Sequence, residues 1–529
     1  MIDTQYKKSS FGNADIPLLL FLIGATNVKL YVKVLTIAMY AIYVVHKRYK
    51  STSINGFTKF YLLMPIAGTI AALLYNSFGT DGYWFGYSMA IFTWLLAALS
   101  VQMVGMTISA LPYQALLNTI KVFFVCNALV SFAELLIMII ESGQLIPYWY
   151  WEPTEYYGGS TGDHIKGITG NISINNAGIN AIGAIYFLYN KQLKPALLCT
   201  IVLLLCTSNL TLIILIVFLL AMLLLIHKKQ VRLHVTGVLL TIGIVYPFLS
   251  YNNIKYVQNV YDTGVADKKE KALETEPLIS ANRDYLDYSQ LAQTDKSQLS
   301  KSNYYVQKND TLLISYKDDL KYIQKLNLLK SQSNSNLKME PYKLSNLLIR
   351  WYGLQPSETP LSKQHGIIKI YSYKQTLAYL KSTKKRLFFG AGIGNFSSKQ
   401  AIKSTGLGLQ GSYPIKYIYI SDDFLKYHLY TLLYVFSLPI SEHSVINMPN
   451  STYNQIAGEY GGIGLILFML FYIGFILKNY KKLSYTWFIA PFFFIYLGFE
   501  YWFEFLSLTI LFELLVLLDI NKKENDAGA

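Results

Sequence analysis

Apolar residues in this chain come in long unbroken blocks, and the length of those blocks decides the fold class. Crossing a hydrocarbon core of about 30 Å takes ~20 residues of helix. Blocks near 14–28, 31–47, 60–78, 85–106, 114–142, 172–190, 195–208, 210–227, 234–250, 454–477, 484–500 and 502–519 are read as spans. The expected fold is an all-α integral membrane protein with about 12 transmembrane helices. A soluble chain carries about a quarter charged residues, whereas here 15% are charged and 53% are hydrophobic. The formal charge of +15 comes from lysines flanking spans or gathered in one loop, so it argues for a membrane and against nucleic acid.

Short basic clusters at Lys47-Arg48-Tyr49-Lys50, Lys191 to Lys194, Lys228-Lys229, Lys478 to Lys482 and Lys522-Lys523 border the spans. The positive-inside rule places them all in the cytoplasm, with both termini inside. The hairpins 14–47 and 195–227 are tight enough for short or re-entrant helices. Three parts result: a membrane bundle over 1–250 with about nine spans, a large outer segment over 251–453, and a C-terminal hairpin and last span over 454–529. The outer segment contains a polar insertion over about 263–345, read as short amphipathic helices or partial disorder. After it come Arg350-Trp351-Tyr352, a helix-like run over 367–381, and an aromatic stretch over 417–438 that would lie on or dip into the membrane. A second outer loop, 143–171, is rich in Trp, Tyr and Gly. The first apolar stretch leads into another rather than into a cleavage site, so no cleavable signal is expected. Cys126, Cys199 and Cys206 lie in apolar runs and read as packing residues. No internal repeat is evident.

Four polar stretches fall on the outer side in this topology, and their convergence is the argument for a site. The first runs from Asp163-His164 through Lys166 and Gly170 to Asn175-Asn176 and enters the sixth span. Its amides either cap the helix or meet a polar ligand. Thr207-Ser208-Asn209 is the second, a weak signal that reads first as the plain outer turn of a helical hairpin. The third joins Lys369, Tyr371, Tyr373 and Lys374 to Gly390-Ala391-Gly392-Ile393-Gly394-Asn395-Phe396. No βαβ unit surrounds those glycines, so they are not a dinucleotide fingerprint. Ser441-Glu442-His443 opens the fourth, which continues through Asn450 to Gly458-Glu459-Tyr460-Gly461-Gly462 and a span. Glu459 either complements a helix dipole or acts in chemistry, and His443 is a candidate base beside His164 and His365.

The fourth stretch resembles the run His-Asn-x-x-Leu-x-x-x-x-Glu-x-Gly-x-x-Gly that opens a late span in bacterial O-antigen ligases and O-antigen polymerases. The third is similar to that family's Leu-Phe-Gly-x-Gly-x-Gly-Asn-Phe at Leu387 to Phe396, and the first to its Arg-x-x-Gly-x-Phe-x-Asn-Pro-Asn, with Lys166, Gly170 and Asn176 in matching places. The second falls where the family often has Ser-Arg. The likeness covers most of the chain outside about 263–345. The chain departs from the pattern at four points: Asn450 replaces the histidine, Asn209 the arginine of Ser-Arg, and Lys369 and Lys166 two further arginines. Lysine keeps the charge but loses the bidentate fork.

The resemblance implies a GT-C-like membrane glycosyltransferase that needs no metal and no other cofactor. It would sit in a bacterial inner membrane as a multi-pass protein with its active site facing the periplasm. Its donor would be a glycan on undecaprenyl diphosphate, and its acceptor a second lipid-linked glycan or lipid A–core. Partners that set chain length or flip the donor are also implied. Lys166, Lys369, Lys374 and Arg350 would hold the diphosphate; Asn176, Asn209 and Asn450 would bind substrate; His443 or Glu459 would orient or deprotonate the acceptor. Because the arginine and histidine positions differ, a polymerase is favoured over a ligase. Trp149, Trp151 and Trp351 would stack on sugars or anchor at the interface. A lipid-linked glycan transporter or flippase is the alternative of another class, and would carry internal symmetry and charges deep in several spans. A structural or sensor protein would need an outer domain able to fold alone.

Overall fold

The computed structural model describes residues 14–49, 53–80, 82–149, 161–170, 172–249, 368–406, 411, 413–429, 431, 432, 435, 445 and 447–527. The polar insertion, Arg350, Trp151, Trp351, His365 and His443 lie outside the described residues.

Among the described residues the architecture is helical, with no β-strand. The first nine helices are α1 (Ile16–Thr26), α2 (Leu30–His46), α3 (Gly56–Leu74), α4 (Tyr83–Ala110), α5 (Tyr113–Ser142), α6 (Ser173–Tyr189), α7 (Leu193–Leu205), α8 (Asn209–Leu225) and α9 (Lys229–Leu249). Three shorter helices follow: α10 (Ile368–Lys381), α11 (Lys384–Phe389) and α12 (Lys399–Ser404). The chain then returns to the bundle through α13 (Thr452–Leu467), α14 (Thr486–Tyr496), α15 (Trp502–Phe505) and α16 (Ser507–Ala527).

Five helices are long and apolar enough to cross a membrane: α3, α4, α5, α9, and α13 with its continuation to Lys478. Five apolar helices are shorter, namely α1, α2, α7, α8 and α14. Large hydrophobics stay exposed on the outside of the bundle, for example Leu35, Ile42, Leu129, Ile140, Val217 and Leu240. Such a surface is costly in water and suits lipid.

Local chemistry sets the helix starts. Asp15 Oδ1 accepts from the Leu18 N–H at 2.8 Å, and the Asn55 side chain accepts from Thr58 N–H at 2.9 Å. Ser451 does the same for Asn454 N–H at 2.9 Å. Each carboxylate, amide or hydroxyl satisfies an N–H that has no partner within its own helix.

Neighbouring helices run antiparallel, so the turns collect at two ends. At the first end, Val28 N–H donates to the Thr169 carbonyl at 2.8 Å, Tyr148 OH to the Leu205 carbonyl at 2.7 Å, and Thr452 N–H to the Leu497 carbonyl at 3.0 Å. The described residues of the polar stretches singled out above lie at this end. At the second end, Ser484 N–H donates to Asp519 at 2.7 Å. Lys47, Lys191, Lys228, Lys229, Lys481 and Lys482 belong to turns at that second end.

α16 is the hub. It packs against α1, α4, α6 and α14, and its apolar residues are buried on every side through Leu508, Leu511, Phe512, Leu515 and Leu518. One of its two buried carboxylates, Glu513, accepts from Tyr61 OH at 2.5 Å and from Tyr472 OH at 2.9 Å. Two phenol donors satisfy a carboxyl that would otherwise be expensive at this depth.

The sequence blocks 484–500 and 502–519 differ from what forms. α14 stops at Tyr496, residues 497–501 are not helical, and α16 starts at Ser507 after Leu506, which is left-handed at φ 61°. The break is stable because its carbonyls are taken up elsewhere. Leu497 O accepts from Thr452 N–H, Gly498 O from Tyr373 OH, Phe499 O from Lys369 Nζ and Glu500 O from Thr452 Oγ1. Unwound backbone within an apolar bundle persists only where its polar groups find protein partners.

Candidate functional site

The third and fourth polar stretches meet directly. Ala391 N–H donates to the Gly458 carbonyl at 2.8 Å, and Gly392 N–H to the Glu459 carbonyl at 2.9 Å. Gly390 (φ 66°) and Gly461 (φ 60°) face each other across this joint. A Cβ on Gly390 would lie 2.5 Å from the Glu459 carbonyl carbon, and one on Gly461 would lie 2.5 Å from Gly390 N. The positive φ and the close backbone approach each demand glycine here. Gly461 also breaks the helical dihedrals inside α13.

Glu459 is the eighth residue of α13, in its third turn beyond the Ser451 cap, so the expectation that it complements a helix N-terminus does not hold. Its Oε1 accepts from the Phe396 N–H at 3.3 Å, bracing the glycine turn. That contact makes it a positioning group for the turn.

Lysines and carboxylates gather around this joint. Lys369, on α10, is buried, and its Nζ donates to the Asn450 carbonyl at 2.6 Å and the Phe499 carbonyl at 3.3 Å. It also lies 5.3 Å from the centre of the Phe499 ring, on the face of the π-system. Burial pushes the ammonium down to about 7, and the Glu500 carboxylate nearby opposes that shift. Lys399, at the start of α12, is lowered to about 8 by burial and by Lys403, with Glu504 and Glu500 pulling the other way. Lys403 is lowered too, mainly by burial. From α2, Lys33 Nζ donates to the Phe505 carbonyl.

Two carboxylates interleave with these cations. Glu504 Oε2 accepts from the Lys399 N–H at 2.6 Å and so closes the start of α12. Glu500 is buried, and its Oε2 makes no hydrogen bond to the described residues. His428 Nε2 shares a 3.0 Å hydrogen bond with Ser397 Oγ, while burial and then Lys369 hold the imidazole down to about 3, and so neutral. Gln455, one turn into α13, has both side-chain polar atoms buried and unpaired within the described protein. The result is a low-dielectric patch in which lysines and carboxylates are interleaved and part of the polar inventory is uncommitted. An anion entering it meets charges that water does not screen.

The first stretch is organised differently. Asn176 Oδ1 accepts from Asn127 Nδ2 and from Asn180 Nδ2, each at 2.8 Å. Its Nδ2 donates to Ser131 Oγ at 3.0 Å and the Ile165 carbonyl at 3.3 Å. Asn127 Oδ1 in turn accepts from Ile168 N–H at 3.1 Å, and Glu134 Oε2 from Gly167 N–H at 2.7 Å. Asn176 therefore neither caps α6 nor faces a ligand; it ties α5, α6 and the 165–168 turn together. The N-cap position is held by Ile172, without a side-chain bond. Asn209 Oδ1 accepts from Tyr246 OH at 2.9 Å, and Ser208 Oγ shares 2.8 Å with Thr211 Oγ1, as a hairpin turn would have them.

Of the residues singled out from sequence, Lys369, Asn450 and Glu459 come together. Asn450 contributes its carbonyl to Lys369 and its Oδ1 to Tyr501 OH at 2.7 Å. Lys166 is exposed beside the amide network, and Lys374 is exposed on α10. Five residues of helix turn Lys374 by roughly 140° away from Lys369, onto the opposite side. His443 and Arg350 lie outside the described residues. The sequence reading missed Lys399, Lys403, Glu500 and Glu504. A signal existed for the last two: ionisable residues inside apolar blocks are costly and call for a partner. Comparison of the chain with family models, curated proteins and solved structures gives no match in any of the three.

Proposed function

We propose that this chain is a membrane glycosyltransferase that moves a glycan from undecaprenyl diphosphate to a sugar hydroxyl at the outer leaflet. The polymerase sense, with a second lipid-linked glycan as acceptor, is preferred to transfer onto lipid A–core. The observation that carries this reading is the group formed by buried Lys369, Glu500 and Glu504 with half-buried Lys399 and Lys403 at one end of an apolar helical bundle. A diphosphate leaving group needs concentrated positive charge in a dry site, and a membrane-embedded donor needs that site at a bundle end. The reading takes the helices as about twelve crossings in a GT-C-like arrangement, with that end facing the periplasm.

The acceptor oxygen attacks the anomeric carbon. The bond from that carbon to the diphosphate oxygen breaks, and undecaprenyl diphosphate leaves with the electron pair. Lys369 and Lys399 hold the charge that develops on it. Glu500 takes the acceptor proton; His443, singled out from the sequence as a candidate base, lies outside the described residues. Exposed Lys166 and Lys374 act, if at all, in the approach of the donor rather than in the chemical step.

The test is glycan profiling of a deletion strain complemented with wild type or with Lys369→Met or Glu500→Gln, with membrane levels matched. Single repeat units on lipid core after deletion mean a polymerase, and long chains left on undecaprenyl diphosphate mean a ligase. Repeat units trapped in the cytoplasmic leaflet mean a transporter and overturn the enzyme reading. Normal glycan in both well-expressed variants overturns the site.

A further inference from the structure

At the second end of the bundle, far along the helices from the lysine–carboxylate group, lies a cavity of about 590 Å³. Tyr189, Leu225, Ile226, His227, Lys228, Val231, Ser484, Trp487 and Phe488 form its walls. Three features of this cavity point the same way. Val231 forms a buried floor, while Leu225, His227, Lys228 and Trp487 are exposed at the rim, so the space is open rather than sealed. The rim carries basic side chains and no carboxylate. Asp519, the acidic group beside it, is already engaged by Ser484 N–H and Oγ and by Thr486 N–H. Below the rim, Ile213, Val217, Leu220 and Leu224 recur along one exposed side of α8 at helical spacing, leaving an apolar track that ends at Leu225.

We propose that this cavity binds an anionic phospholipid, its phosphodiester against Lys228 and the α8–α9 turn and one acyl chain along the α8 track. The first-turn N–H groups of α9 point toward the same turn and add positive partial charge. Trp487, half-exposed at the mouth, supplies the amphipathic ring that sits at headgroup level in a bilayer. A basic pocket between helices, continuous with an apolar outer track, matches a lipid better than a soluble phosphate, which would leave the track unused. The inference is independent of the glycosyl-transfer reading.

Trp487 also provides the readout. Full-length protein is placed in nanodiscs with phosphatidylglycerol or phosphatidylcholine brominated on the acyl chains, and the Trp487 signal is taken as the difference between wild type and Trp487→Phe. The expected result is at least twofold stronger quenching by brominated phosphatidylglycerol. Lys228→Glu removes that excess and keeps the phosphatidylcholine level, whereas Lys229→Glu, outside the cavity wall, keeps the excess. Equal quenching by the two lipids overturns the proposal. So does loss of the excess in both charge variants, which would mean surface charge alone, or its abolition by soluble glycerophosphate, which would mean a free phosphate ligand.

Discussion

The lysine–carboxylate group and the amide network lie at the same end of the bundle, and both are built from polar residues at helix entrances. They differ in what the polar atoms do. Around Asn176, donors and acceptors on the amide are taken up by Asn127, Ser131, Asn180 and Ile165. Around Lys369, the ammonium rests on two carbonyls while a carboxylate oxygen of Glu500 and the whole Gln455 amide make no bond to the described residues. The fully bonded Asn176 amide fixes geometry, even though Asn180 Oδ1 and both amide atoms of Asn175 beside it make no bond to the described residues; buried charges with spare bonding capacity keep a larger cost in the free protein that a ligand can relieve. Burial of polar groups alone, or an unbonded neutral amide, therefore does not mark a site. Uncommitted buried charge does.

The difference can be tested from its strongest consequence downward. Lys369→Met is expected to reduce glycan transfer by about 10²–10³-fold, the range seen when one preorganised stabiliser of developing charge is removed. Transfer assayed in membranes with matched protein levels checks this, and activity within twofold of wild type would break the contrast. Asn176→Ala should act through stability instead. It strands the buried Asn127 donor, worth about 1–3 kcal/mol, whereas Asn180 Nδ2 keeps its bond to the residue 176 carbonyl. Thermal unfolding in detergent should fall clearly, while transfer per folded molecule stays near wild type; a selective loss of transfer would move the amide network into the site.

A pH profile sharpens the comparison further. With its ammonium lowered to about 7, Lys369 is charged below that pH and neutral above it, so donor binding should weaken as pH rises through 7. Lys369→Arg stays charged throughout, and its binding should lack that falling limb. A limb that persists in the arginine variant would assign the titration to another group. The smallest effect is expected for Lys374→Ala, an exposed position, at within about 0.5 kcal/mol in stability. Its transfer rate should remain within twofold.

Much of the fold was legible because block length and charge asymmetry are one-dimensional signals. The glycine turn and the amide-rich entrance to α13 were legible for a similar reason: Gly390, Gly392, Gly458 and Gly461 announce close backbone approach. Depth was not legible. Lys166, Lys369, Lys374, Lys399 and Lys403 look alike in sequence, and only packing against α13 and the 497–506 break buries some of them. Glu500 and Glu504 were absorbed into apolar blocks by the aromatic residues around them. Their helix breaks because carbonyls 497–500 serve groups 125 and 130 residues away on α10 and tens of residues away at Thr452, which local pattern does not record.

The joint between Gly390 and Gly461 has one more consequence. Two main-chain bonds and one carboxylate fasten the glycine turn to α13, and neither glycine accepts a side chain. Turn and span thus behave as a single casting, with Lys369 and Asn450 bolted alongside it. If the proposed lipid-linked glycan binds here, this joint is the stator, and the parts that yield to it are to be sought around the joint rather than in it.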